Sequence, residues 1–163
     1  GVASMLSSKT RIEFARPRDV AAMARLSRDE VERGLGWRYQ PRVLARLIRA
    51  RHKNVVVARV EGELAGFAIM TYHTYQANLD LLAVKRPYRR NGVGTQLVAW
   101  LVEVAAAAGI YNVYVQVRET NHGALHFYRD LGFERLDMLR GYYNGEEGAL
   151  ILAKSLRPLV GAP

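Results

Sequence analysis

The sequence predicts an α/β fold, mixed in the α+β sense, with a mixed sheet of six to seven strands and helices on both faces. Three stretches predict it. The run Leu79-Asp80-Leu81-Leu82-Ala83-Val84 is apolar at every position but one, as expected of a strand covered on both faces. It feeds a basic loop with Gly92 and Gly94, and then Val93, Leu97, Val98, Leu101, Val102 and Ala105 at helical spacing. Upstream, two β-rich runs flank Glu61-Gly62-Glu63, a tight hairpin turn that makes the early sheet antiparallel. Downstream, Asn112 to Val117 is another strand, parallel to the central one if the unit is a right-handed crossover.

The elements follow in order. Arg11 to Arg16 alternates and opens as a strand. Pro17-Arg18-Asp19 starts a helix with Val20, Met23, Ala24 and Leu26 on one face. Asp29 to Arg33 reads as a short helical turn, Gly34 to Gln40 as a loop, and Pro41 to His52 as a helix with Val43, Leu44, Leu47 and Ile48 inward. Asn54 to Val60, Leu64 to Tyr75 and Gln76 to Val84 are strands. Pro87 cannot continue a ladder, so the third of these ends before it. The long helix from Val93 stops near Gly109, a good C-cap residue. Asn121 or Thr120 caps a helix ending at Leu131-Gly132. Phe133 to Tyr142 and Ala149 to Lys154 are the last strands, paired across Asn144 to Gly148.

Composition bounds the function. A chain of 163 residues, half of them apolar, is read as one domain over 11–156 with a real core. Residues 1–10 are set aside as unstructured or foreign to a natural start at Met5, and 157–163 as a frayed tail. No apolar run is long enough to span a bilayer, which needs about 18 residues. With no cysteine there is no thiol nucleophile or zinc-thiolate site. The histidines do not cluster at metal spacing, and no metal is expected. Nothing argues for secretion, so a cytoplasmic protein is expected. The net charge of +9 comes mostly from scattered arginines, without the pattern of a nucleic-acid-binding motif.

The strand–loop–helix junction has a chemical use. A helix N-terminus has free backbone N–H groups and the positive end of the helix dipole, and glycine lets an anion approach closely. Arg89 and Arg90 add charge at the rim. No Gly-Lys-Ser/Thr follows, as a Walker loop needs, and no third glycine completes a dinucleotide fingerprint.

Arg89-x-x-Gly92-x-Gly94 after a strand ending Leu-Ala-Val resembles the acyl-CoA-binding motif of the GNAT superfamily of N-acetyltransferases. Asn121-His122-Gly123-Ala124-Leu125-His126-Phe127-Tyr128-Arg129-Asp130-Leu131-Gly132-Phe133 is similar to a second motif of that family. The likeness covers about Arg11 to Leu156 and is strongest to the branch acting on ribosomal-protein alanine and other peptide N-termini. It implies acetyl-CoA as cofactor and an amine acceptor, peptide or protein or small molecule. It implies a pantetheine arm paired with the backbones of Leu82, Ala83 and Val84. The pyrophosphate would lie on Arg90, Asn91, Gly92, Val93, Gly94 and Thr95, with Arg89 at the rim and Asn121 near the pantetheine. Tyr128 matches the tyrosine that faces the thioester sulfur and donates to the leaving thiolate; packing in the core is its other reading.

The general base is less legible. Gln116 and Asn78 stand where relatives carry bases or other functional side chains. Asp80, on the same strand face as Asn78, is the first candidate, acting through water; a buried hydrogen-bonding role is its alternative. Glu32, Trp37 and Tyr39 are candidate acceptor residues. The aromatics are equally read as a plug under a glycine-flanked loop, and Glu32 as an exposed surface charge. Tyr142 and Tyr143 resemble paired tyrosines that flank an acceptor peptide. The competing readings are a small-amine acetyltransferase, a non-catalytic acyl-CoA-binding module and, on charge alone, a nucleic-acid binder. Monomer or homodimer is expected, with no membrane partner.

Overall fold

A computed structural model describes residues 9–32, 34–143 and 147–156. The expectations for 1–8 and for the tail 157–163 lie outside the described residues. Among the described residues, seven strands and four α-helices follow in the order β1 (Thr10–Phe14), α1 (Val20–Leu26), α2 (Pro41–Ile48), β2 (Lys53–Val60), β3 (Glu63–Tyr72), β4 (Gln76–Val84), α3 (Val93–Ala107), β5 (Asn112–Arg118), α4 (His122–Asp130), β6 (Glu134–Tyr143) and β7 (Glu147–Ser155). The strand order is β1-β2-β3-β4-β5-β7-β6, so the expected mixed sheet is present. No helix among the described residues is long and apolar enough to cross a membrane.

The described residues form two compact units, one within 9–71 and 81–101 and the other within 72–80 and 102–156. In the first, β1, β2 and β3 form an antiparallel meander. Glu61 and Gly62 both take positive φ at the β2–β3 turn, as a tight hairpin of this hand requires. Every residue from Leu64 to Met70 is buried. Phe67 and Ile69 join a core with Met23, Ala24 and Leu26 of α1 and Leu44 of α2. Gly66 is required by its surroundings: a Cβ there would lie 2.6 Å from the Ala83 carbonyl oxygen and 3.4 Å from Leu97 of α3. Only glycine allows β3, β4 and α3 to meet this closely.

The strand buried on both faces is therefore β3. In β4 the expectation of two covered faces is corrected: Ala77, Leu79, Leu81 and Ala83 are buried, while Asn78, Leu82 and Val84 are half-buried and Asp80 is exposed. An apolar run in β4 thus hides a period of two, because Leu82 and Val84 lie on its less covered face.

Several boundaries shift for local reasons. Helix α2 ends at Ile48 rather than His52, where the Arg49 and Ala50 amides tighten onto Arg46 and Leu47. Strand β3 ends at Tyr72, since the His73 amide turns back to the Gln76 carbonyl. The turn expected at Asp29 to Arg33 is a π-helical turn over Ser27–Val31, closed by the Glu32 amide on the Ser27 carbonyl at 2.8 Å.

In the second unit, β5 runs parallel to β4, from Gln76↔Asn112 to Leu79↔Val115. Strand β7 pairs antiparallel with both β5 and β6 and starts at Glu147, earlier than expected. The Glu119 carboxylate accepts from the Gly148 amide at 3.0 Å, which ties the end of β5 to the start of β7. Residues 144–146, within the expected β6–β7 turn, lie outside the described residues.

Candidate functional site

The first unit brings the end of β4, a basic turn and the start of α3 together in one continuous stretch. Strand β4 ends at Val84, and the Lys85 amide bonds the Ala65 carbonyl of β3 at 2.8 Å. Ala65 is the extra residue of a β-bulge, for Ala58 pairs with Gly66 and Arg59 with Leu64. A single 3-10 turn, Arg86–Tyr88, carries the proline that stops the strand. Then the backbone turns left-handed twice, at Arg90 (φ 64°) and Gly92 (φ 84°). A non-glycine residue pays strain of about 1–2 kcal/mol for that conformation, and such outliers concentrate at ligand clamps. The Asn91 side chain braces the turn through the carbonyls of Pro87 and Arg89.

Helix α3 takes its first helical bond from Gln96 N–H to the Gly92 carbonyl at 3.0 Å. The amides of Val93, Gly94 and Thr95 lie in the first turn, where a helix offers its own N–H groups no acceptor. No atom lies within 4 Å of a Cβ placed at Gly92. Lys85, Arg86, Arg89 and Arg90 supply positive charge around it. This open, amide-rich, basic turn fits a phosphate group by charge and by donor chemistry.

Arg89 is more engaged than the sequence suggests. Its Nε donates to the Val84 carbonyl at 3.1 Å, and its Nη2 donates to Glu30 Oε2 at 3.0 Å. Arg86 Nη2 lies 3.5 Å from the same oxygen. Sequence reasoning passed over Glu30, whose partners are 59 residues away in the case of Arg89.

Glu32 departs from its exposed reading, because it is buried at 9 % exposure. Its carboxylate accepts from Ser27 Oγ at 2.9 Å, from the Arg38 amide at 2.8 Å and from the Tyr39 amide at 3.1 Å. The loop carrying Trp37 and Tyr39 is thus held by a buried carboxylate. Both aromatics pack partly buried against the first unit's core. Trp37 Nε1 donates to the Ala24 carbonyl at 3.1 Å, and Arg28 lies over its ring. Arg38 lies over the Tyr39 ring.

In the second unit, Asn121 caps α4, its Oδ1 accepting from the Ala124 amide at 3.0 Å. Tyr128 is buried, edge-on to Phe127 and Phe133 at centroid distances of 5.0 and 5.3 Å. Burial pushes its phenol well above the ordinary tyrosine range, so it stays protonated at neutral pH. Asp80 is exposed, on the face of β4 that also carries Asn78. Asn78 pairs in register with Tyr114, and its Nδ2 lies 3.4 Å from His73 Nε2. Gln116 is exposed on β5. Tyr142 and Tyr143 belong to β6, and Tyr143 pairs with Glu147 in register; their side chains lie outside the described residues.

Residues 20–133 match the acetyltransferase (GNAT) family. The chain belongs to this family. A relative from Escherichia coli strain K12, named [ribosomal protein bS18]-alanine N-acetyltransferase, is 34% identical over 95 residues, covering 56% of this chain and 64% of its own length. The match therefore spans somewhat less than two thirds of that relative. An N-alpha-acetyltransferase of Sulfurisphaera tokodaii is 34% identical over 115 residues, covering 61% of this chain and 68% of its own length. Among solved structures, Ard1 from Thermoplasma volcanium superposes with a TM-score of 0.83 at 24% identity, over 92% of this chain and 99% of that one. An aminoglycoside 6'-N-acetyltransferase complexed with coenzyme A gives a TM-score of 0.80 at 21% identity, over 91% and 98%. At these identities the structural matches establish the family fold. The family match includes both stretches on which the sequence resemblance rests, from β4 into α3 and from Asn121 to Phe133.

Proposed function

We propose that this protein is an acetyl-CoA-dependent N-acetyltransferase acting on a primary amine, a peptide or protein α-amine in the first instance. The observation that carries the reading is the left-handed turn at Arg90 and Gly92, which delivers β4 into the amide-rich first turn of α3 in a chain of this family. The two sequence relatives described above, both named for N-terminal or alanine acetylation, favour a peptide acceptor.

Bound acetyl-CoA supplies a thioester, an activated acetyl group whose transfer releases the CoA thiol. The residues that would hold it are the amides of Arg90 to Thr95 for the pyrophosphate, the backbones of Leu82, Ala83 and Val84 for the pantetheine, and Asn121. The acceptor amine attacks directly, with both substrates bound together. Tyr128 keeps its proton on Oη and donates it toward the leaving sulfur; burial favours the neutral phenol this role needs. Asp80 takes up the amine proton through water. A peptide α-amine, with a pKa near 8, is partly neutral at physiological pH and needs only a weak base, which suits a chain with Gln116 and Asn78 at the two family positions. Trp37 and Tyr39 flank the acceptor, and Glu32 holds their loop in shape.

The test is acetyl transfer to peptides with a free N-terminal alanine, beside a polyamine and an aminoglycoside, read by CoA thiol release and by mass of the product. Faster turnover of the peptide supports the reading. Turnover of the small amines alone moves the acceptor class, and CoA binding without transfer to any amine points to a non-catalytic module.

A further inference from the structure

We propose that Glu30 is a positioning residue: an internal anion that holds Arg86 and Arg89 in the free protein, yields them to the phosphates of acyl-CoA, and passes its release to the aromatic loop. The inference rests on the acyl-CoA reading above and assigns a control on that same site.

Four observations converge. Glu30 Oε2 receives Arg89 Nη2 at 3.0 Å and faces Arg86 Nη2 at 3.5 Å, so one oxygen holds two guanidinium groups, as a phosphate oxygen can. The Glu30 side chain is only 20 % exposed, against 44 % for Arg89 and 70 % for Arg86, so the carboxylate is the enclosed member of the trio. Arg89 also grips the Val84 carbonyl at the end of β4, the strand end from which the basic turn starts. Finally, Glu30 belongs to the π turn Ser27–Val31, a rare geometry that marks functional sites. That turn's next residue, Glu32, holds the amides of Arg38 and Tyr39, and its first residue, Ser27, holds Glu32.

Glu30 within the turn and Glu32 directly after it thus lie two residues apart, the first bound to the phosphate-side arginines and the second to the loop of Trp37 and Tyr39. A pyrophosphate carries more charge than a carboxylate and competes for the same guanidinium donors. When it takes them, Glu30 loses its partners and the π turn loses its anchor to the basic turn. The differential contact required of any coupling is this ion pair. By reciprocity, whatever the aromatic loop engages changes acyl-CoA affinity by the same factor.

The experiment uses CoA itself as the probe, in a Trp100→Phe background that leaves Trp37 as the one tryptophan of the chain. Calorimetry gives the affinity, and Trp37 emission reports the loop. CoA should change Trp37 emission in the parent. Glu30→Gln should bind CoA about five-fold more tightly and should lose the emission change. Equal or weaker CoA binding in Glu30→Gln, or an emission change that persists there, overturns this inference alone. A parent that binds no CoA overturns both this inference and the acyl-CoA reading. If Glu30→Gln does not fold, Glu30→Asp, which withdraws the carboxylate by one methylene, must shift affinity in the same direction.

Discussion

Tyr128 shows how burial fixes a protonation state. Its phenol, packed between Phe127 and Phe133, is held neutral by desolvation. It can therefore donate a hydrogen bond or proton at any physiological pH and cannot serve as a base. Tyr128→Phe should lower kcat by about 100-fold while CoA affinity by calorimetry stays within a factor of two to three. The same burial has a stability consequence. Because the folded phenol titrates above its unfolded value near 10, its contribution is complete below about pH 10 and is lost as pH rises beyond it. Denaturant titrations above that pH should show a shallower alkaline decline in Tyr128→Phe than in the parent. Gly66 is a second decisive residue, for a steric reason. Gly66→Ala would set a methyl group 2.6 Å from the Ala83 carbonyl oxygen, so β3 and β4 must separate. The expected cost is about 1–3 kcal/mol, with weaker acetyl-CoA binding, because Ala83 is a proposed backbone partner of the cofactor. Denaturant midpoints and calorimetry check the two effects separately.

Arg59 plays the corresponding part between elements. It lies on β2 and bonds Asp19 Oδ1 and Oδ2, both at 2.8 Å, and also Glu13 of β1. Asp19, 6 % exposed, further accepts from the Arg16 amide at 2.9 Å. Strand β1, strand β2 and the 3-10 turn that starts α1 are tied through one guanidinium. Arg59→Met leaves Asp19 buried with its main countercharge gone, and should cost about 3 kcal/mol by chemical denaturation. The hydrogen bond from Arg59 also holds the Glu13 carboxyl below its ordinary range. A depressed carboxyl contributes stability above its unfolded value and loses it as pH falls through the folded one. Acidification below about pH 4 should therefore destabilise the parent more than Arg59→Met. The π turn between α1 and α2 shows the same economy, with Glu30 and Glu32 fastening it to two different loops.

For the whole molecule the first test is ligand-linked stability. Acetyl-CoA at a hundred times its dissociation constant should stabilise the protein by about 2.7 kcal/mol, seen as a rise in melting temperature larger than with ATP or NAD. No rise at saturation would overturn the cofactor assignment. Much of the fold could be read in the chain because its signals are local. Helical spacing from Val93, the Glu61-Gly62 turn, the proline stop at Pro87 and the Asn121 cap are each set by a few neighbouring residues. The basic turn was legible for the same reason, since its glycines, arginines and helix start are contiguous. Coverage was not local: β3 from Leu64 to Met70, and not β4, is buried on both faces, because that depends on what packs over each strand face. Nor were the charge partners. Arg59 and Asp19 are 40 residues apart, and Arg89 and Glu30 are 59 apart. In a chain with 24 lysines and arginines, no local pattern distinguishes a paired guanidinium from a solvated one. The sequence by itself determined the element order, the basic turn before α3 and the family motifs, all written in adjacent residues. Only the tertiary structure decided which strand is enclosed, that Glu32 is a buried clamp, and that Glu30 holds Arg86 and Arg89, since burial and ion pairing arise where distant segments meet.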